Sequence, residues 1–156
     1  MRIEAPDVSH GADMWRIARD SGSLDLNSSY AYLLLSRDFG RSCRVAIVDG
    51  EVIGFVVGYL RPDSVQSLFI WQIAVDQRAR GQGVAACLLD DVVAAVPEVI
   101  TLETTITADN EPSQRLFTSF AERHGGVISI STLFDDRDFP DGHDAELLYE
   151  IDGIGR

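Results

Sequence analysis

VDQRARGQGVAA, residues Val75 to Ala86, is the stretch on which the fold turns. A β-branched, apolar run from Leu68 to Val75 leads into it, and from Gly83 the pattern VAACLLDDVVAAV is helical until Pro97 stops it. The order is therefore strand, glycine-rich loop, helix. Gly81 and Gly83 let the backbone turn tightly where a helix begins, so that successive N–H groups point outward at the positive end of the helix dipole. Arg78 and Arg80 flank that turn with charge-assisted donors, a local reversal of sign in a chain whose formal net charge is −12. Such a nest suits a pyrophosphate. An isolated Gly-x-Gly is also an ordinary loop with a helix cap. The stretch lacks both the G-x-G-x-x-G spacing of a dinucleotide site, with its acidic residue about 20 positions on, and the G-x-x-x-x-G-K-S/T spacing of a nucleoside-triphosphate loop.

Working outward, Asp13 to Arg19 places Met14, Trp15 and Ala18 at helical spacing, and Asn27 with Ser28 gives a cap signal ahead of YAYLLLSRDF. Two short helices open the chain. Arg44 to Val48 and Val52 to Tyr59 are β-branched runs joined by Asp49-Gly50, a dipeptide suited to the positive φ of a tight hairpin. Beyond the loop, Val99 to Ile106 reads as a strand. Glu111 to Arg123 reads as an amphipathic helix, with Asn110 at its cap and Pro112 in its first turn. Gly125-Gly126 ends that helix, Val127 to Ser131 is a short strand, and Ala145 to Ile151 is a last one across the acidic loop DDRDFPDGHD. The pattern is α/β with no internal repeat.

The 156 residues, 46% apolar, fit one domain over 1–156 with a single core. No apolar run reaches the roughly 18 residues that span a bilayer, and MRIEAPDVSH has neither a basic n-region nor an apolar h-region, which predicts a soluble, cytoplasmic protein. The negative charge repels phosphate backbones and anionic lipid, so neither nucleic acid nor a membrane surface is expected as a partner. It suits a cationic substrate, and equally it keeps a surface soluble. Cys43 and Cys87 lie in apolar stretches without metal-ligand spacing and read as buried free thiols. In the acidic loop, Asp136-x-Asp138-x-x-Asp141-Gly142 misses the ligand spacing of a calcium loop, and no metal is expected. His124 and His143 read as surface residues, and no serine or cysteine comes with the partners of a covalent triad.

Arg78-x-x-Gly81-x-Gly83 after a strand resembles the acetyl-CoA loop of the GNAT superfamily of N-acyltransferases, and Asn110-x-x-Ser113-x-x-Leu116-Phe117 resembles its second CoA-contacting motif. Within that superfamily, LDLNSSYAYLLL, WQIAVD, LETTITADNE and LFDDRDFPDGHDAELLY are similar to the diaminobutyrate acetyltransferases of ectoine biosynthesis. The resemblance implies a mixed, mostly antiparallel central sheet flanked by helices. It implies acetyl-CoA as co-substrate, L-2,4-diaminobutyrate as acceptor through its 4-amine, a homodimer and no metal. It also implies CoA contacts at Ile73, Ala74, Val75, Arg78, Arg80, Gly81, Gln82, Gly83, Val84, Ala85, Asn110, Ser113 and Phe117, with pantetheine lying along the main chain of Ile73 to Val75.

An alkyl ammonium of pKa about 10.4 is deprotonated at neutral pH only to about one part in a thousand, a deficit of about 4–5 kcal/mol that the site must supply. The α-amine of the same molecule loses its proton more easily, so geometry has to select the 4-amine. Asp25, Tyr30, Trp71, Glu103 and Glu146 are the carboxylates and aromatics expected to hold the acceptor, with Glu103 and Tyr30 as the catalytic candidates. Each has a second reading. Asp25 is also a turn or cap residue near Asn27, Tyr30 a helix residue whose hydroxyl reaches water, and Trp71 a core residue on a strand face shared with Phe69 and Ile73. Glu103 among strand residues is costly unless paired or functional, and Glu146 also fits a solvated strand face. Many superfamily members place a tyrosine in the second motif to protonate the departing thiolate. Here that position is Phe117, which leaves the step to Tyr30, Tyr149 or water, with a main-chain N–H near Val75 as the oxyanion donor. Another amine as acceptor, or a CoA-binding module without turnover, stands as the alternative.

Overall fold

In the computed structural model, which describes residues 1–154, Asp49 and Gly50 both take positive φ, 51° and 83°. That is the geometry a type I′ turn demands of its two central residues. The turn joins β2 (Cys43–Val48) to β3 (Glu51–Arg61), paired antiparallel, and β1 (Arg2–Glu4) adds antiparallel to β2 with Ile3 opposite Ala46. β1 was not anticipated, because three residues are too few to show alternation and only pairing with β2 makes them a strand. The chain divides into two compact units, one of Met1–Tyr59 with Trp71–Pro97 and one of Leu60–Ile70 with the chain from Glu98 onward. Gly155 and Arg156, the end of the expected 1–156 domain, lie outside the described residues.

In the first unit β2 is buried on both faces, which explains its unbroken apolar reading. Cys43, Val45 and Ile47 join Met14, Ile17 and Ala18 of α1 (Gly11–Ser21), Tyr32 of α2 (Ser29–Asp38), and Val52, Phe55, Val57 and Ala74 in one core cluster. Ser28 caps α2, its hydroxyl accepting from the Ala31 amide at 3.3 Å. From β2, Arg44 reaches α3 (Val84–Ala94), with Nε 2.6 Å from Asp91 Oδ1, and donates to the carbonyls of Gly40, Arg41 and Cys43. Burial pushes the Cys43 thiol up to about 11. Cys87 corrects the expectation of two buried thiols. It is exposed, because α3 buries Val84, Leu88, Leu89, Val92 and Val93 and turns Cys87 outward.

Gly54 on β3 sets how closely α3 approaches. A Cβ there would stand 3.2 Å from the Ala74 carbonyl oxygen and Val84 Cγ1 and 3.3 Å from Leu88 Cδ1. The start of α3, and with it the Gly83 turn, is therefore seated on bare backbone.

In the second unit the Ser67–Ile70 part of β4 (Ser64–Val75) pairs parallel with β5 (Thr101–Ile106). β5 pairs antiparallel with β7 (Glu146–Asp152), and β7 with β6 (Val127–Phe134), giving the mixed, mostly antiparallel sheet expected. Leu68, Leu102 and Ile151 fall in one row and are all buried, while the neighbouring row carries Phe69, Glu103 and Glu150. The β4–β5 ladder ends at Ile70 and Thr104, where the Thr104 hydroxyl donates to the Ile70 carbonyl at 3.0 Å. α4 (Glu111–His124) buries Phe117, Phe120 and Ala121 and ends at Gly125 in the left-handed region. No helix among the described residues is long and apolar enough to cross a membrane.

Gly54→Val forces side-chain atoms against the Ala74 carbonyl and α3, and should cost about 1–3 kcal/mol of stability, as overpacking does. Urea unfolding measures it, and wild-type stability in that variant would unseat α3 from this contact.

Candidate active site

Gly81 and Gly83 adopt φ of 75° and 77°. A Cβ at either position would meet nothing within 4 Å, so torsion and not crowding calls for glycine. Gly83 is the N-cap of α3 and no side chain caps the helix. The helical ladder begins with the Cys87 amide donating to the Gly83 carbonyl at 3.1 Å. The amides of Val84, Ala85 and Ala86 precede that first bond, and the first turn carries no acidic residue. The helix begins at the glycine turn, where the sequence reading put it, and free amides at such a start are the geometry that suits an anion.

The arginines sit differently from that reading. Arg78 folds back on Asp76, with Nη2–Oδ2 at 3.2 Å and Nε–Oδ1 at 3.3 Å, and lies 3.6 Å from Glu51. Arg80 donates Nε to the Val75 carbonyl at 3.3 Å, and Gln82 donates to the Arg78 carbonyl at 3.4 Å. Asp76 also accepts Arg16 Nη1 at 3.0 Å, and its own amide donates to the Ile53 carbonyl at 2.7 Å. The Arg78 and Arg16 guanidiniums, with the Arg78 amide, hold the Asp76 carboxyl well below the usual carboxylate range. Arg16, Asp76, Arg78 and Arg80 line a cavity of about 240 Å³ together with residues of α1. Sequence reasoning passed over Asp76 and Arg16. The aspartate directly after the strand, two residues before an arginine, was the available signal.

Among the acceptor candidates of the first unit, Tyr30 is 66% exposed at the start of α2 and Asp25 is exposed in the preceding loop, its carbonyl accepting Gln72 Nε2 at 2.7 Å. Trp71 is 47% exposed, which corrects its core reading. From Leu68 onward the buried side chains on β4 are Leu68, Ile70, Gln72 and Ala74. Phe69, Trp71, Ile73 and Val75 alternate with them on the more open face. Ile73 and Val75 are thus half-buried, whereas Ala74 is buried.

In the second unit Glu103 is 4% exposed and its Oε2 lies 3.2 Å from Arg61 Nη1, so the cost of burying it is met by an ion pair. Arg61 also holds Asp63 at 2.9 Å. Glu150 stands directly across from Glu103 on β7, and burial, followed by the charges of Asp152 and Glu103, raises its carboxyl above the ordinary value, opposed by Arg61. Arg61 and Glu150 were not foreseen, because strand register decides who faces Glu103 and register is not written in any one stretch. Glu146 is half-buried, 3.6 Å from His143 Nε2, and the His143 ring stacks on Phe139 at 4.3 Å. That overturns the solvated-face reading of Glu146 and the surface reading of His143. His124 likewise stacks on Phe120, at 4.2 Å. Asn110 caps α4, its Oδ1 accepting from the Ser113 amide at 3.3 Å, and Phe117 is 2% exposed on the buried face of that helix. Tyr149 is buried opposite Thr104. In the acidic loop, Asp135 accepts from the Arg137 amide and Asp138 from the Asp135 amide, closing a capping box around one short turn.

Residues 12–121 match the Acetyltransferase (GNAT) family. The chain belongs to the GNAT acetyltransferase family. This acetyltransferase is 53% identical over 157 residues to an L-2,4-diaminobutyric acid acetyltransferase of Streptomyces coelicolor, covering 97% of this chain and 92% of that protein. It is 53% identical over 156 residues to one of Streptomyces anulatus, covering 97% and 89%. Its fold matches that of a diaminobutyrate acetyltransferase from Paenibacillus lautus, solved in complex with its substrate L-2,4-diaminobutyric acid and coenzyme A. The TM-score is 0.93 at 35% identity over 97% of this chain and 94% of that one. The GNAT fold anticipated from the loop and the strand order is the fold observed.

Asp76→Asn removes the anion that gathers Arg16 and Arg78, and should cost about 1 kcal/mol or more at neutral pH. A carboxyl whose folded-state pKa is depressed adds stability above its unfolded value, and that stability is lost as the pH falls through the folded one. The gap between variant and wild type should therefore close on acidification below the ordinary carboxylate range. Urea titrations across pH read it, and a gap independent of pH would contradict the ion-pair assignment.

Proposed function

We infer that this chain transfers the acetyl group of acetyl-CoA to the 4-amino group of L-2,4-diaminobutyrate, giving N4-acetyl-L-2,4-diaminobutyrate. The observation that carries the reading is likeness over nearly the whole chain to enzymes of that name, including one whose structure holds both diaminobutyric acid and coenzyme A. The reaction forms a bond from the 4-amine nitrogen to the thioester carbonyl carbon and breaks the carbon–sulfur bond. The ammonium proton leaves before attack, and the departing thiolate takes one up.

The amides of Gly83 to Ala86 hold the pyrophosphate at the start of α3, with Arg80 and Gln82 beside it. The main chain of Ile73 to Val75 guides pantetheine, and an N–H near Val75 meets the oxyanion. Asn110, Ser113 and Phe117 form the second CoA-contacting motif. Asp25, Tyr30, Trp71, Glu103 and Glu146 are the acceptor contacts that the likeness to the diaminobutyrate acetyltransferases implies. Glu103, paired with Arg61, draws the cationic substrate and takes its proton, and Tyr30 supplies the hydroxyl that Phe117 lacks. The chain works as a single N-acetyltransferase domain over 1–156, in a cytoplasmic homodimer that serves ectoine formation. Two free thiols, one of them exposed, support a reducing compartment. Phe117 favours one other reading, a CoA-binding module without turnover.

Mixing the protein with acetyl-CoA and L-2,4-diaminobutyrate should release CoA thiol. Release with a different amine alone would reassign the acceptor, and tight CoA binding without any release would support the binding module. Glu103→Gln should lower kcat/KM for the amine by about 100-fold or more while leaving the KM for acetyl-CoA nearly unchanged. An unchanged rate would make Glu103 a partner of Arg61 only.

A further inference from the structure

Gln72, in the WQIAVD stretch, is 4% exposed on the buried face of β4. A carboxamide among apolar side chains is costly unless both of its ends are met. Both are. Nε2 donates to the Asp25 carbonyl at 2.7 Å, and Oε1 accepts the Tyr32 hydroxyl at 2.7 Å. Tyr32 is fully buried with its ring edge-on to Phe55, and its hydroxyl also interacts with Asn27. Burial raises the Tyr32 phenol further above neutrality, so it stays protonated and can donate. The amide has one workable orientation, since a backbone carbonyl can only accept and the NH₂ end must face Asp25.

The segment held this way is irregular and mostly exposed. It runs from Gly22, which ends α1 in the left-handed region, to Ser28, which caps α2. Leu24 gives it one partly buried apolar side chain, and Ser21 accepts from the Leu24 amide at 3.3 Å. Seven residues with so little apolar burial have many conformations of similar energy. The Gln72 and Tyr32 bonds choose one of them, at the residues that carry Asp25 and lead into Tyr30.

We propose that Gln72 is a positioning residue for the acceptor amine: its buried carboxamide ties the Asp25–Asn27 segment to β4 and so sets where the Asp25 carboxylate and the Tyr30 ring stand, without touching substrate. This rests on Asp25 and Tyr30 being acceptor contacts. It accounts for a polar residue at a position where an apolar side chain would satisfy the core, and it joins LDLNSSYAY and WQIAVD into one hydrogen-bonded unit.

The isosteric variant Gln72→Glu separates positioning from mere packing. As a carboxylate it offers the Asp25 carbonyl only acceptors and releases the segment. Once protonated, its hydroxyl donates and its carbonyl accepts, restoring both bonds. The titratable residues it bonds are Tyr32 on α2 and Asp25 in the loop, and the Cys43 thiol on β2 shares the core cluster of Tyr32. The KM of Gln72→Glu for diaminobutyrate should be raised by about 10-fold at neutral pH, with the KM for acetyl-CoA held within about 2-fold, and the defect should shrink on acidification relative to wild type. Tyr32→Phe, which keeps the bond to Asp25, should raise the same KM by less. Equal changes in both KM values, or no change in either variant, would overturn the proposal. Asp25→Asn isolates the underlying reading. Wild-type KM for diaminobutyrate in that variant removes Asp25 from the acceptor site, whereas a raised KM there with unaffected Gln72 variants defeats the positioning role alone.

Discussion

The first backbone amides of α3 face outward where the chain turns into that helix through Gly81 and Gly83, both at positive φ, and the free amides at a helix start are an anion-binding end. Much of the first unit can be understood as support for that turn. β4 delivers the chain to Val75, Asp76 draws Arg16 and Arg78 around its carboxylate, and α3 rests against the bare backbone of Gly54. Arg44, bonded to Asp91 and to three carbonyls, fastens α3 to β2 from another direction. A nest made of main-chain groups keeps its geometry through packing and needs no side chain to adopt a particular rotamer. This suits a co-substrate whose diphosphate is its least variable part.

The strongly acidic composition poses the converse problem. On the proposed function a protein of net charge −12 has to hold an anionic coenzyme, and the groups at hand for it are a helix dipole and arginines, of which Arg78 is partly matched by Asp76 and Glu51. Elsewhere the same acidity is organised. Glu103 is buried against Arg61 and faces Glu150, whose carboxyl is raised by burial and by its acidic neighbours. One guanidinium among several carboxylates leaves a field that favours a cation, which is the charge an alkyl amine carries before it reacts.

Local chemistry made much of this architecture legible in the sequence. Asp49-Gly50, the Ser28 and Asn110 caps, the Gly83 helix start and the periodicity of α1 and α4 each carry their own signal within a few residues, and each appears where it was expected. The parts that were missed depend on pairing across the chain. β1 exists only because β2 accepts it, and Arg61 and Glu150 meet Glu103 only through hairpin geometry and strand register. The core reading that stood beside the acceptor role of Trp71 failed because alternation tells which side chains share a face but not which face is covered. The pairing of Arg78 with Asp76 went unread for a similar reason, since nothing in R-A-R-G-Q-G says that Arg78 turns back to Asp76.

Backbone resonances offer the most direct measurement of the central claim, that main-chain amides at the Gly83 turn bind the coenzyme's diphosphate. Titrating unlabelled CoA into ¹⁵N-labelled protein should shift the amide signals of Gly83, Val84, Ala85 and Ala86 strongly and saturably. Signals that stay in place there while CoA demonstrably binds would put the diphosphate elsewhere and contradict the account.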